Sequence, residues 1–447
     1  MLGRLDSYLT DYECIFKSKT KRFFDKAVTY CKGIFMSEQS NIERISEEMF
    51  ANYHQMQHFI SDSPWDHRAL MDQVALDVSS SLPRRKLTGL LIDESGWEKK
   101  GDKSVGVSPQ YCGNVGKVSN SQVAVFGALN NGDFASMVDA RLYLPESWCN
   151  DPARCDEAGI PEEERVFKKK WEIALEIIRH QRSLGVCFDY VGGDGYYGNS
   201  MEFSEAIEAL NSVYMLDIHS NLIIYLKNSE IGIPPAKGSR GRKPSKEKPF
   251  VEGIRADRYM SGLSEKEWVN LEVRNTTKGK LKGDYHFRTV YVFDEENLRM
   301  LRRLLVIRRT TTKKGEFEYK YSFTNANLEQ YTPQTIAYMQ AQRFFVEHCI
   351  KENKQVLGMD KYQTRKWQAW NHQIGLNFLL STFLLKEKLR CFEDVPLLSA
   401  RDIKRWIIFK LYRQMSEEEM IDQMFERHCQ RQRDINYAFE KQQNLMC

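Results

Sequence analysis

The chain has 447 residues, of which 42% are hydrophobic and 28% charged, with a net charge of +4. That length gives two or three domains with a substantial core, and the near-balanced charge means that any basic surface comes from segregation rather than from a global excess. No apolar run is long enough to span a membrane, and the start, MLGRLDSYLTDYECIF, lacks the layout of a secretory signal. A cytoplasmic protein with no membrane partner is therefore expected. The ten cysteines contain no CxxC pair, which points to reduced thiols and gives no support to a zinc site.

In chain order, residues 1–80 read as a separate helical block. Ile42, Ile45, Met49, Tyr53 and Met56 fall at three- and four-residue spacing on one apolar face, a helix expected to stop near Ser63-Pro64. From Leu87 the period changes to that of strands: LTGLLID, SVGVSPQYC, SQVAVFGAL and, after the hairpin signal NNGD, FASMVDARLYL. A helix over EERVFKKKWEIALEIIRHQRSLG ends on Gly185, and VCFDYVGGDGYYG is a strand running into Asp194. A helix around SMEFSEAIEALNS and a strand VYMLDIH follow.

Residues 226–330 break this alternation. A basic, Pro/Gly-rich loop (234–249) precedes the strand-like stretches WVNLEVR, DYHFRTVYVFD, RRLLVIRRT and FEYKYSFTNA, a β-rich insertion. One helix is expected over 332–357, with Thr332 as cap, Pro333 in the first turn and Gly358 as stop. The apolar helix QIGLNFLLSTFLLKEKL and a polar helical tail complete the chain.

Two acids stand out. Asp93 follows LLI and Asp194 follows YVGG, each at the expected end of an apolar strand, where an α/β sheet presents functional groups. A lone acid there more often caps a helix or closes a turn than it does chemistry. Two in comparable settings, each followed by a small residue and an aromatic, shift the balance towards function. On the 332–357 helix, Arg343, Glu347 and Lys354 fall within roughly 40° of one another. Such a stripe is also what a solvated helix face looks like, but Phe344, Phe345, Val346 and Ile350 surround Glu347. Three gathered carboxylates repel unless a cation neutralises them, and hard divalent ions choose oxygen ligands.

On these residues the chain resembles the bacterial insertion-sequence transposases with a ribonuclease H-like DDE core, in the branch with a Tyr-Arg-Glu-Lys signature. QAQRFFVEHCIKENK supplies Arg343, Glu347 and Lys354 at the signature spacings, while Gln340 stands where the branch has tyrosine. The segment 93–125, the GGDGYYG stretch and the GLNFLL stretch carry the rest of the likeness, over about residues 40–385. The resemblance implies a mixed α/β ribonuclease H-like core formed by 81–225 and 331–390. It also implies a helical DNA-binding region over 1–80, the β-rich insertion over 226–330 and a helical region over 391–447. It implies a DNA transposase that cuts transposon ends and transfers the strand to target DNA. Asp93, Asp194 and Glu347 would hold two Mg²⁺ ions, for which Mn²⁺ would substitute.

Arg343 and Lys354 would then contact phosphates near the cut, with Trp97 and Trp268 as candidates to stack on a flipped base. Arg240, Arg242 and Lys243 in the basic loop, and Lys361, Arg365 and Lys366 interleaved with aromatics, are further candidate DNA contacts. The implied partners are double-stranded terminal inverted repeats, target DNA and a second copy of the chain, in a nucleoid-associated complex. A nuclease of the same fold without strand transfer, and a transposase-derived DNA-binding protein without activity, are the alternatives.

Overall fold

The structure is a computed structural model that describes residues 1–84, 86–235, 244–276, 279–312, 314–413 and 416–444. Ten strands form one mixed sheet: β1 (Gly89–Glu98), β2 (Ser108–Cys112), β3 (Lys117–Asn130), β4 (Ala135–Leu142), β5 (Tyr190–Gly193), β6 (Val213–Asp217), β7 (Val269–Thr276), β8 (Gly279–Asp294), β9 (Arg299–Thr311) and β10 (Phe317–Thr324). β1, β5 and β6 are parallel neighbours, and β3 runs antiparallel along the other side of β1. β4 pairs the far side of β3, so the order β4-β3-β1-β5-β6 is that of a ribonuclease H-like core. The four long strands of the insertion form no sheet of their own, although Ile231–Gly232 and Lys248–Pro249 pair as a short separate ribbon. β10 pairs antiparallel with β6, and β9, β8 and β7 extend the same sheet outward.

Before the sheet come α1 (Leu2–Thr10), α2 (Phe24–Met36), α3 (Ile42–Glu48), α4 (Tyr53–Ser61) and α5 (His67–Ser81). α6 (Lys170–Ser183) and α7 (Met201–Ala209) make the crossovers into β5 and β6. α8 (Pro333–Ala341), α9 (Phe344–Leu357), α10 (Trp367–Arg390), α11 (Ala400–Leu411) and α12 (Glu417–Asn444) follow the insertion. α10 has 24 residues, so it is about 36 Å long. It is buried on almost every side between α5 and β4, which is why its apolar residues show no amphipathic period.

The N-terminal helices do not stand apart, as the sequence led us to expect. They share one core with α10, tied by polar contacts: Tyr8 donates to the Leu379 carbonyl at 3.1 Å, and Tyr30 to Gln373 Oε1 at 2.6 Å. Arg4 forks onto Glu387 at 2.8 and 2.6 Å. The Glu387 side chain is only 4% exposed, and losing Arg4 would leave it with the longer contact to Arg390, at 3.6 Å, as its remaining ion pair.

Two expected helices are broken. The first divides at Phe50, whose φ is +50°, and Asn52 caps the second piece by accepting from the Gln55 amide. The helix expected over 332–357 divides at Gln342 and Arg343. All nine cysteines in the described residues are free thiols, and no helix there is long and apolar enough to cross a membrane.

Candidate active site

β1 does not end at Asp93. It continues to Glu98, because its antiparallel register with β3 runs unbroken from Gly89↔Asn130 to Glu98↔Ser121. What ends is the parallel neighbour: β5 pairs with β1 only over Gly89–Leu91, and Asp194 is the first residue after β5. Both carboxylates therefore stand where the sheet splits, with β1 and β3 going one way and the chain after β5 the other. Asp194 also caps the turn Gly195–Gly198, its Oδ1 accepting from the Tyr196 amide at 3.0 Å. That turn rests on the end of β6, and a Cβ on Gly198 would collide with the Asp217 carbonyl. Glycine is what allows the approach.

α9 supplies the third acid. The break at Gln342–Arg343 restarts the helix with Arg343 as its N-cap residue, and Glu347 lies one turn in. Asp93, Asp194 and Glu347 line one cavity of about 640 Å³, together with Glu94, Lys170 and Lys354. Arg343 stands among the acids. Its Nη2 is 2.7 Å from Glu347 Oε1 and its Nη1 is 3.8 Å from Asp93 Oδ2. Burial, and then the neighbouring Asp194, push the Asp93 carboxyl up to about 8, against the opposing pull of Arg343. Burial and Glu94 likewise raise Asp194.

Several site features were not anticipated from sequence. Asp217 ends β6, and its Oδ2 lies 2.9 Å from Arg343 Nε. VYMLD has the same layout as LLID and YVGGD, so the signal was present. Glu94, the next residue after Asp93, lines the cavity and pairs with Lys170 at 3.1 Å. Lys320 on β10 is half-buried beside the cluster; burial lowers its pKa, and Asp217 and Glu347 raise it.

The candidate DNA contacts divide. Lys354 lines the cavity, but its Nζ donates to Ser95 Oγ at 2.8 Å and to the Gly96 carbonyl at 3.1 Å. Trp97 is 4% exposed, its indole N–H sharing Gln122 Oε1 and Tyr362 Oη at 3.1 Å each. This ring is core and leaves no face for a base, a correction to its candidacy. Trp268 stacks under Arg309 at 4.6 Å in the extended sheet, away from the cavity lining. Lys361 and Arg365 are exposed, and Lys366 pairs with Asp62 at 2.5 Å. Tyr362 and Trp370, between them in sequence, are buried in the core. Arg240, Arg242 and Lys243 lie outside the described residues. His372 is a core residue stacked on Trp65 at 3.7 Å.

The donor set suits a hard divalent cation. It is all oxygen, and both acids are raised, Asp93 by burial and then Asp194, Asp194 by burial and then Glu94, against the opposing pull of Arg343. Glu347 is turned to Arg343. Among the described residues, no three His, Cys, Asp or Glu side chains converge closely enough to hold one ion.

A ribonuclease H-like sheet with acids beside its first and fourth core strands defines a class of enzymes acting on phosphodiesters. The model of the family described as DDE superfamily endonuclease matches residues 11–280, and the chain belongs to that family. The matched span contains Asp93 and Asp194 and ends before Glu347. The family is one of DNA-cutting enzymes that work with a divalent metal. A probable transposase for insertion sequence element IS701 from Microchaete diplosiphon is 25% identical over 335 residues, 74% of each chain. A cryo-EM structure of the piggyBac transposase synaptic complex with hairpin DNA aligns over 93% of this chain and 80% of its own. Its TM-score is 0.35 and its identity 10%.

Proposed function

We propose that the chain is an insertion-sequence DNA transposase that cuts double-stranded transposon ends and joins them to target DNA, with Asp93, Asp194 and Glu347 as the catalytic carboxylates. The observation that carries this reading is the meeting of all three in one cavity at the split between β1 and β5. The family gives the chemistry, and the insertion-sequence relative favours joining over simple cleavage.

Asp93 and Asp194 would bind Mg²⁺ from the strand side, and Glu347 from α9. Divalent ions held by these carboxylates would activate the attacking oxygen and stabilise the leaving one. Arg343 and Lys354 flank the acids and are suited to orient phosphates. Lys320 adds a third cation on the insertion side of the site. The exposed Lys361 and Arg365, the helical region 1–80 and the insertion 226–330 would hold the flanking duplex, with a second copy of the chain bringing the other end. Incubation with DNA bearing the terminal inverted repeats, Mg²⁺ and a target plasmid tests the reading. Joined products are expected; cleavage without joining would make it a nuclease.

A further inference from the structure

Arg343 faces two acids at contact distance through different nitrogens of its guanidinium. Glu347 holds Nη2 at 2.7 Å, and Asp217 lies 2.9 Å from Nε. The second contact is an ion pair by distance, not an aligned hydrogen bond, since the Nε–H has no hydrogen-bond partner. Asp217 itself is fixed. It pairs with Ser322 across the β6–β10 ladder, and Ser322 donates its hydroxyl to Asp217 Oδ1 at 2.7 Å. Gln340, on α8, donates its amide to Ser322 Oγ at 3.0 Å. Each group in this series has its polarity assigned: an amide gives to a hydroxyl, which gives to a carboxylate. The carboxylate's other oxygen is thereby left facing the guanidinium. Ser322 and Gln340 are buried, so the series has little freedom to rearrange.

Glu347 is the most exposed of the acids around Arg343. Its side chain is 48% exposed, against 19% for Asp217 and 13% for Asp93. A divalent cation on Asp93 and Asp194 needs Glu347, and Arg343 now holds it. Arg343 and the ion are thus competitors for one carboxylate.

We propose that Asp217 is a positioning residue which retains Arg343 beside the site, through the Gln340–Ser322–Asp217 series, when Glu347 passes to a divalent cation. This inference rests on the proposed role of Asp93, Asp194 and Glu347.

Opposite signs follow for the two partners. Arg343→Gln frees Glu347 and should tighten Mn²⁺ binding about fivefold, the scale of one partly exposed charge pair. Asp217→Asn keeps the shape and the Ser322 bond but removes the competing charge. Arg343 then bears harder on Glu347 and Asp93, and Mn²⁺ binding should weaken about fivefold.

The test is Mn²⁺ titration followed by electron paramagnetic resonance, without DNA, on folded full-length chains in a double-mutant cycle. Loss of the Asp217→Asn effect in the Arg343→Gln background is expected, because Asp217 acts through the guanidinium. An equal weakening in both backgrounds, or none in either, would overturn the proposal. Asp93→Asn is the control on the underlying site. Unchanged Mn²⁺ affinity in that variant would overturn the acid site itself and this proposal with it.

Discussion

Lys354 and Ser95 join α9 to β1: the ammonium donates to the serine hydroxyl at 2.8 Å, and to the Gly96 carbonyl at 3.1 Å. The contact fixes the helix that carries Glu347 against the strand that carries Asp93. An ammonium has three donors, so these two bonds leave one for a phosphate oxygen. Burial pushes the amine down to about 8, the mark of a cation held inside the protein rather than swept through solvent.

Lys354→Met should therefore do two things. Loss of the clip should destabilise the fold by about 1–3 kcal/mol, seen in chemical denaturation. The salt slope of DNA-end binding should also fall by about one. An unchanged slope would restrict Lys354 to the clip.

Asp93 sets a pH dependence. Its folded-state value, about 8, lies above the unfolded value near 4, so the folded chain keeps a proton that the unfolded chain has lost. Stability should fall as pH rises from about 4 to about 8. Asp93→Asn removes that slope, so its stability relative to the wild type should rise steadily across this window. Saturating Mn²⁺ should flatten the wild-type slope by compensating the carboxylate. Denaturation series at several pH values, with and without Mn²⁺, check both statements. Parallel curves for wild type and variant would contradict them.

Gln340 stands where the branch that the sequence resembles has tyrosine. It is 4% exposed and engaged with Ser322, so Gln340→Tyr adds a ring to a filled space. A loss of about 1–3 kcal/mol is expected from overpacking. A Gln340→Tyr variant as stable as the wild type would mean that the space accepts the ring.

The sheet was legible in the sequence because its strands are set by local period: the insertion strands around RTVYVFD and LLVIRR alternate or run apolar as paired strands do. The continuation of β1 past Asp93 was not. Glu94-Ser95-Gly96 reads as a turn, and only the pairing with β3 makes it strand. The break at Gln342–Arg343 was hidden because both residues are ordinary helix formers, although the break is what sets Arg343 between Asp217 and Glu347. Asp93, Asp194 and Glu347 emerged from strand-end placement, helical spacing and resemblance. Asp217 carried the same strand-end signal, but its pairing with Arg343 and the Lys354 clip depend on neighbours more than one hundred positions away in sequence, which no local pattern encodes. Trp97 was misleading for a related reason: an aromatic near a catalytic acid looks the same in sequence whether it faces DNA or the core.

The most direct test of the central claim is cleavage of terminal-inverted-repeat DNA in Mg²⁺ by the wild type and by Asp93→Asn, Asp194→Asn and Glu347→Gln, each also assayed for end binding. The expected result is cutting and joining by the wild type alone, with end binding within about threefold in every variant, because a single charge change of this size alters binding by less than about 1 kcal/mol. Normal cutting by any one of the three variants would contradict the assignment of the site.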